Sequence, residues 1–107
     1  MKPYRVAFRR EAMLQLEELH EYVAEAGSPR NAARYTDAIV GFCEKLGTFP
    51  QRGASRDDIR PGLRTIGYGK RVIIAFAILD DTVAILGIFY GGRDYEAILT
   101  GPDTTPT

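Results

Sequence analysis

The feature that most constrains the fold is a change of hydrophobic period, made twice. "YRVAF" at 4–8 alternates Tyr4, Val6 and Phe8 against Arg5 and Ala7, as expected for a strand with one buried face. From Arg10 the spacing becomes three and four: Met13, Leu16, Leu19, Val23 and Ala26 form the apolar stripe of a helix ending at Gly27. "GSPRNAARY" then supplies Gly27 for a left-handed C′ position, Ser28 as the next N-cap and Pro29 in the first helical turn. A second helix carries Ala32, Tyr35, Ile39, Phe42 and Leu46, with a stop at Gly47. So short a connection makes the helices antiparallel neighbours that pack together on a sheet.

After the loop "TFPQRGASRDDIRPG" the two-residue period returns. "LRTIG", "RVIIAFAIL" and "TVAILGIFY" are joined by Tyr68–Lys70 and by the Asp80 and Asp81 pair, which predicts a three-stranded antiparallel meander. Its central strand is apolar on both faces, so both are expected to be covered. The predicted class is α+β: an N-terminal strand, an antiparallel helical hairpin, then the meander, with helices on one face of a mostly antiparallel sheet. At 107 residues one core is expected, buried to roughly 60–70 % of the unfolded surface. Residues 1–100 are expected to form a single domain and residues 101–107, "GPDTTPT", a flexible C-terminal tail. "RDYEAIL" at 93–99 reads as a last helical turn or an edge strand.

Several chemistries are unsupported by the residues. The lone His20 sits on a helix flank, no His/Cys pattern has metal-ligand spacing, and Cys43 has no disulfide partner, so neither a metal nor another cofactor is expected. "GYGKR" lacks phosphate-loop spacing and precedes a strand instead of a helix. The paired aspartates 57/58 and 80/81 read as turn formers. The apolar run "VIIAFAIL" is too short to span a bilayer, and "MKPYRVAFRRE" lacks the apolar block of a signal peptide, so no membrane partner and a cytoplasmic location are expected.

Charge is where the chain is distinctive. Formal net charge is zero, yet Glu11, Glu17, Glu18, Glu21 and Glu25 occupy 11–26 without a cation, while Arg52, Arg56, Arg60, Arg64, Lys70 and Arg71 crowd 52–71. Eleven of the fourteen cations are arginines, whose forked donors suit carboxylate or phosphate. Pro61 and Gly62 fit a type II turn, flanked by Arg60 and Arg64; Lys70 and Arg71 open the next strand, and Arg93 follows the last. These five residues are expected to converge on one exposed, anion-facing patch; the competing expectation is surface pairing with Asp57, Asp58, Asp94 and the acidic helix.

Over nearly its whole length, from "AMLQLEELHEYVAEAGSPRNAARY" through "LGTFPQRG" and "RPGLRTI" to "ILGIFYGGRDYEAIL", the chain resembles the RelE/ParE superfamily of toxins from type II toxin–antitoxin modules. The resemblance implies a small toxin, hetero-oligomeric with a cognate antitoxin that wraps an extended, partly helical segment along its surface. ParE-like members poison DNA gyrase; RelE-like members cut mRNA on the ribosome with basic residues and a C-terminal tyrosine. The long helices and arginine-dominated meander place this chain nearer ParE, which implies gyrase inhibition without catalysis. Under the RelE-like alternative, Arg64, Arg71 and Arg93 would stabilise the phosphorane, and Tyr90 or Tyr95 would move the 2′-OH proton. A histidine and a second arginine common in the family are replaced by Tyr90 and Gly92. A third reading is a plain binding module whose basic face holds an acidic peptide.

Overall fold

The computed structural model describes residues 3–91 and residue 99. Strand β1 (Arg5–Phe8) leads into helix α1 (Arg10–Ala26) and helix α2 (Pro29–Lys45). Four strands follow: β2 (Ala54–Ser55), β3 (Leu63–Tyr68), β4 (Val72–Leu79) and β5 (Thr82–Tyr90). They form one sheet in the order β1-β5-β4-β3-β2. The meander of β3, β4 and β5 is antiparallel, and β1 joins it parallel to β5, pairing Arg5 with Thr82 through Phe8 with Ile85. The α+β class and the meander match expectation. The two-residue β2, antiparallel to β3, was hidden in the loop because a strand that short has no period to read.

The helix junction follows its local chemistry. The Ser28 hydroxyl accepts from the Asn31 N–H at 3.1 Å, and Pro29 occupies the first turn. Ser28→Ala is expected to cost about 1 kcal/mol, a fall of about 4–8 °C in thermal midpoint for a domain of this size; an unchanged melting curve would contradict the capping role. Gly27 departs from expectation: its φ is −137°, outside the left-handed region, and its N–H closes α1 onto the Val23 carbonyl at 2.9 Å.

The helix-facing core gathers Ala12, Leu19, Ile39, Cys43 and Leu46 from the helical layer onto Val72, Ile74 and Phe76 of β4 and Val83, Ile85 and Ile88 of β5. The stripe of α1 is shifted from the expected one. Ala12 is fully buried, while Met13 and Ala26 face solvent. A small residue at position 12 lets α1 approach the sheet closely, and Met13, one position round the helix, is left outside. The other face of the sheet buries Leu63, Ala75 and Phe89 under Leu99, with Ile59, Ile73 and Leu86 around them. Both faces of β4 are thus covered, as its composition requires.

A bulge in β5 keeps both its halves facing the helices. Phe76 pairs with Ile85 but Ala75 pairs with Gly87, so Leu86 is an extra residue. The parity of inward residues switches there, from Val83 and Ile85 to Ile88 and Tyr90. Cys43 lies beneath α2 with its thiol pushed up to about 12, first by burial and then by Glu44. Alkylation by iodoacetamide at neutral pH is expected to be negligible in the native protein and rapid in urea; fast native labelling would show that the core opens readily.

Candidate functional site

The helical hairpin turns back over one end of the sheet, where β3 ends, β4 begins and β5 ends. Aromatic side chains from α1, α2, β3 and β5 meet there. Tyr22 of α1 packs on Tyr90 of β5 with ring centroids 5.3 Å apart, and Tyr90 meets Tyr35 of α2 at 6.3 Å. Tyr35 continues to Tyr68 of β3 at 6.4 Å, and Tyr68 to Phe42 at 5.1 Å. The Arg52 guanidinium closes the series 5.6 Å above the Phe42 ring. Edge-to-face contacts of this kind contribute about 0.5–1.5 kcal/mol each beyond area burial. Together they tie both helices to the sheet end.

Beside this ladder lies an open recess of about 310 Å³, lined by Gln15, Glu18, Leu19, Tyr22, Arg71, Ile88, Tyr90 and Gly91. Its floor is apolar, from Leu19 and Ile88. Its rim offers one guanidinium, one carboxylate, a carboxamide and two phenol hydroxyls. Arg71 sits in the turn between β3 and β4, and its carbonyl accepts from the Gly91 N–H at 3.1 Å, which holds the end of β5 against that turn. The Tyr35 phenol is raised above its ordinary value, by burial first, then by Tyr90 and Tyr68; Arg71 opposes the shift without reversing it. A neutral phenol at Tyr35 suits packing and hydrogen bonding better than proton abstraction.

The expected single cationic patch divides in two. Arg60 stands before β3 and Lys70 and Arg71 stand after it, so the length of the strand, about 20 Å, separates them. Sequence proximity misled here because a hairpin sends the residues before and after one strand to opposite ends of the sheet. The type II turn itself is as read: Gly62 has φ 81°, and the Leu63 N–H reaches the Arg60 carbonyl at 3.1 Å. The Arg60 guanidinium donates to the Leu99 carbonyl at 3.1 Å. Arg64 donates to the carbonyls of Arg52 at 3.0 Å and of Gln51 and Gly53 at 3.4 Å. Both arginines therefore bind the chain's own backbone. Asp57 accepts from the Gly62 N–H and the Ser55 hydroxyl, which hold its carboxyl below the usual range; Arg56 does the same for Asp58 across a 2.9 Å pair. Arg93 and Tyr95 lie outside the described residues. Of the residues singled out from sequence, Arg71 and Tyr90 share the recess.

Gln15 and Tyr22 of α1 were not singled out, and Glu18 was read only as one member of the acidic run on α1. The signal for Tyr22 was a large aromatic among the glutamates on the wet side of α1, where it remains 57 % exposed. Nothing in the sequence marked Gln15, whose partner is 73 residues away.

Comparison with known proteins adds the lineage to this geometry. No curated protein matches the sequence. A family model, that of the ParE toxin of the type II toxin–antitoxin system parDE, matches residues 6–95. The chain belongs to the ParE toxin family. Its RelE/ParE-type architecture is shared with solved structures. The chromosomal ParDE toxin–antitoxin system of P. aeruginosa superposes with a TM-score of 0.72 at 22 % identity, covering 81 % of this chain and 95 % of that one. The RelBE2 toxin–antitoxin complex of Mycobacterium tuberculosis gives 0.58 at 25 % identity, covering 83 % and 99 %. In this ParE-type chain no described helix is long and apolar enough to cross a membrane.

Proposed function

We propose that this ParE-family toxin acts in the cytoplasm by inhibiting DNA gyrase and is silenced by direct binding of a cognate antitoxin. The observation that carries the reading is the ParE family match across residues 6–95, which takes in the helical hairpin and the whole meander. The similar P. aeruginosa and M. tuberculosis structures, a ParDE system and a RelBE2 complex, support a protein partner of antitoxin type. Among the cations, we assign Arg71, with Lys70 beside it and Arg93 following β5, to contact with target or antitoxin. Arg60 and Arg64 hold the loop and Leu99 in place and contribute to those contacts indirectly.

The likeness to the RelBE2 complex favours a second reading, ribosome-dependent cleavage of mRNA. That chemistry needs a cation and a proton acceptor at the same phosphodiester. Arg64 is engaged with loop carbonyls, and Arg71 lines the recess on the far side of the ladder. Induction of the chain alone separates the readings. A gyrase inhibitor produces filamentous cells and a DNA-damage response before protein synthesis falls; a message-cutting enzyme stops translation first. Co-expression of the neighbouring reading frame is expected to restore growth.

A further inference from the structure

The helical hairpin separates the charges of the chain. Helix α1 carries Glu11, Glu17, Glu18, Glu21 and Glu25 with no cation between positions 11 and 26. Helix α2 is different on one side. Its buried row, Ala32, Ile39 and Cys43, sits on the sheet, and Tyr35 and Phe42, further round the helix, meet Tyr68 of β3. The row beyond them is Arg30, Arg34, Ala38, Gly41 and Lys45, whose spacing by four, four, three and four keeps all five within about 80° of the helix surface. Arg30, Arg34, Ala38 and Lys45 are exposed, and Gly41 has open space where a side chain would begin. Asp37 and Glu44 border this row on the side away from β3. Toward the sheet it is extended by Arg52, whose guanidinium lies 5.6 Å above the Phe42 ring, one helical turn from Lys45.

These cations are unneutralised. Among the described residues no carboxylate lies within ion-pair distance of Arg30, Arg34, Lys45 or Arg52. Arg71 does not belong with them, because the Glu18 carboxylate lines the same recess. The surface also lacks an apolar anchor: Ala38 and Gly41 offer nothing large to bury, whereas protein interfaces draw their affinity from aromatic and apolar side chains seated in pockets. A phosphate backbone asks for the reverse, free arginine forks on an element it can approach closely. Nor are the rings beside the row open to unpaired bases. Arg52 occupies the face of Phe42, and Phe42, Tyr68 and Tyr35 are packed at an angle to one another, which leaves no stacking platform for a single strand. From Arg30 to Lys45 the row runs about 22 Å, long enough to lie along several phosphates of one strand of a duplex.

We propose that the outer row of α2, with Arg52 beside it, binds the phosphate backbone of duplex DNA and holds the toxin against the DNA segment that gyrase carries. The assignment rests on the reading of the chain as a gyrase inhibitor, which supplies a duplex as the neighbouring polyanion. Phosphate contacts carry no sequence information directly, so the binding is independent of sequence and weakens steeply with salt. The glutamates of α1 set the orientation: the field that attracts α2 repels α1, and the α2 side turns toward the DNA.

The test is fluorescence anisotropy of a labelled DNA duplex of arbitrary sequence, titrated with the full chain at several salt concentrations, followed by gyrase supercoiling with the same proteins. The logarithm of the affinity is expected to fall with the logarithm of salt concentration with a slope of about −3. Arg34→Glu with Lys45→Glu is expected to weaken duplex binding by about tenfold or more and to flatten the slope by about 2, and to weaken gyrase inhibition in parallel. The milder pair Arg34→Gln with Lys45→Gln flattens the slope likewise while leaving the melting curve unchanged. Arg10→Glu, an equal change of charge per site at the exposed start of α1, is expected to leave binding within about threefold. Duplex binding that is absent, insensitive to salt, unaltered in both double variants or lost equally in Arg10→Glu overturns this surface. Tighter binding to an RNA duplex or to a single strand than to duplex DNA also overturns it. Gyrase inhibition undiminished in the double variants overturns the role of the surface and leaves the proposed function standing. A wild-type chain that binds duplex DNA as described but leaves supercoiling unimpaired overturns the proposed function and leaves the surface standing.

Discussion

Phe76→Ala is expected to destabilise the protein by about 3–5 kcal/mol. Phe76 is fully buried at the centre of β4, facing the helical layer, where it packs in one cluster with Leu19, Ile39, Cys43 and Leu46. It is the largest fully buried side chain among the described residues. Its neighbours lie on four different elements, and no single one can move inward to fill the space without leaving its own sheet or helix partners. Domains of this kind have total stabilities of about 5–15 kcal/mol, so the loss is a large fraction of the total. Urea denaturation of wild type and variant measures the difference. A loss under about 1 kcal/mol would mean that the helical layer settles freely on the sheet, contrary to the packing described.

Gly53→Ala is the second large effect. Gly53 has φ 76°, and a Cβ there would overlap the Thr65 carbonyl oxygen and lie 3.0 Å from the Ile66 Cβ. An L-residue in that conformation costs about 1–2 kcal/mol before any clash. Relieving the overlap requires moving the loop that Arg64 grips through the carbonyls of Gln51, Arg52 and Gly53, together with β2, whose Ala54 pairs with Thr65. The expected total is about 2–4 kcal/mol, with a matching loss of exchange protection at the Arg56 amide, which bonds the Leu63 carbonyl at 2.7 Å. Wild-type stability in this variant would show that the loop is not held as described.

What was legible in the sequence was whatever depends on local periodicity. The change from alternation at Tyr4–Phe8 to three-and-four spacing after Arg10 marks β1 and α1, Ser28 and Pro29 mark the start of α2, and the aspartate pair marks the β4–β5 turn. Strand order was not legible, because β1 joins β5 across more than seventy residues through backbone bonds that carry no residue preference. The bulge at Leu86 was equally hidden, since a one-residue insertion in a strand apolar on both faces leaves the pattern unchanged.

The arginines show the same limit at the site. Their clustering along 52–71 was visible, but the geometry of β3 parts Arg60 from Arg71, and the carbonyls that occupy Arg60 and Arg64 come from residues distant in sequence or presented by a loop. The recess depends on Gln15, Glu18 and Tyr22 meeting the end of β5, a tertiary coincidence. Only Tyr22, an aromatic out of place on an acidic helix face, left a trace.

The central claim, a gyrase inhibitor of the ParE family, is tested most directly by adding the purified chain to purified DNA gyrase and relaxed plasmid. Loss of supercoiling with accumulation of cleaved DNA, reversed by the protein from the neighbouring reading frame, is the predicted result. Unimpaired supercoiling at saturating toxin, alongside arrest of a cell-free translation reaction by the same preparation, would contradict it.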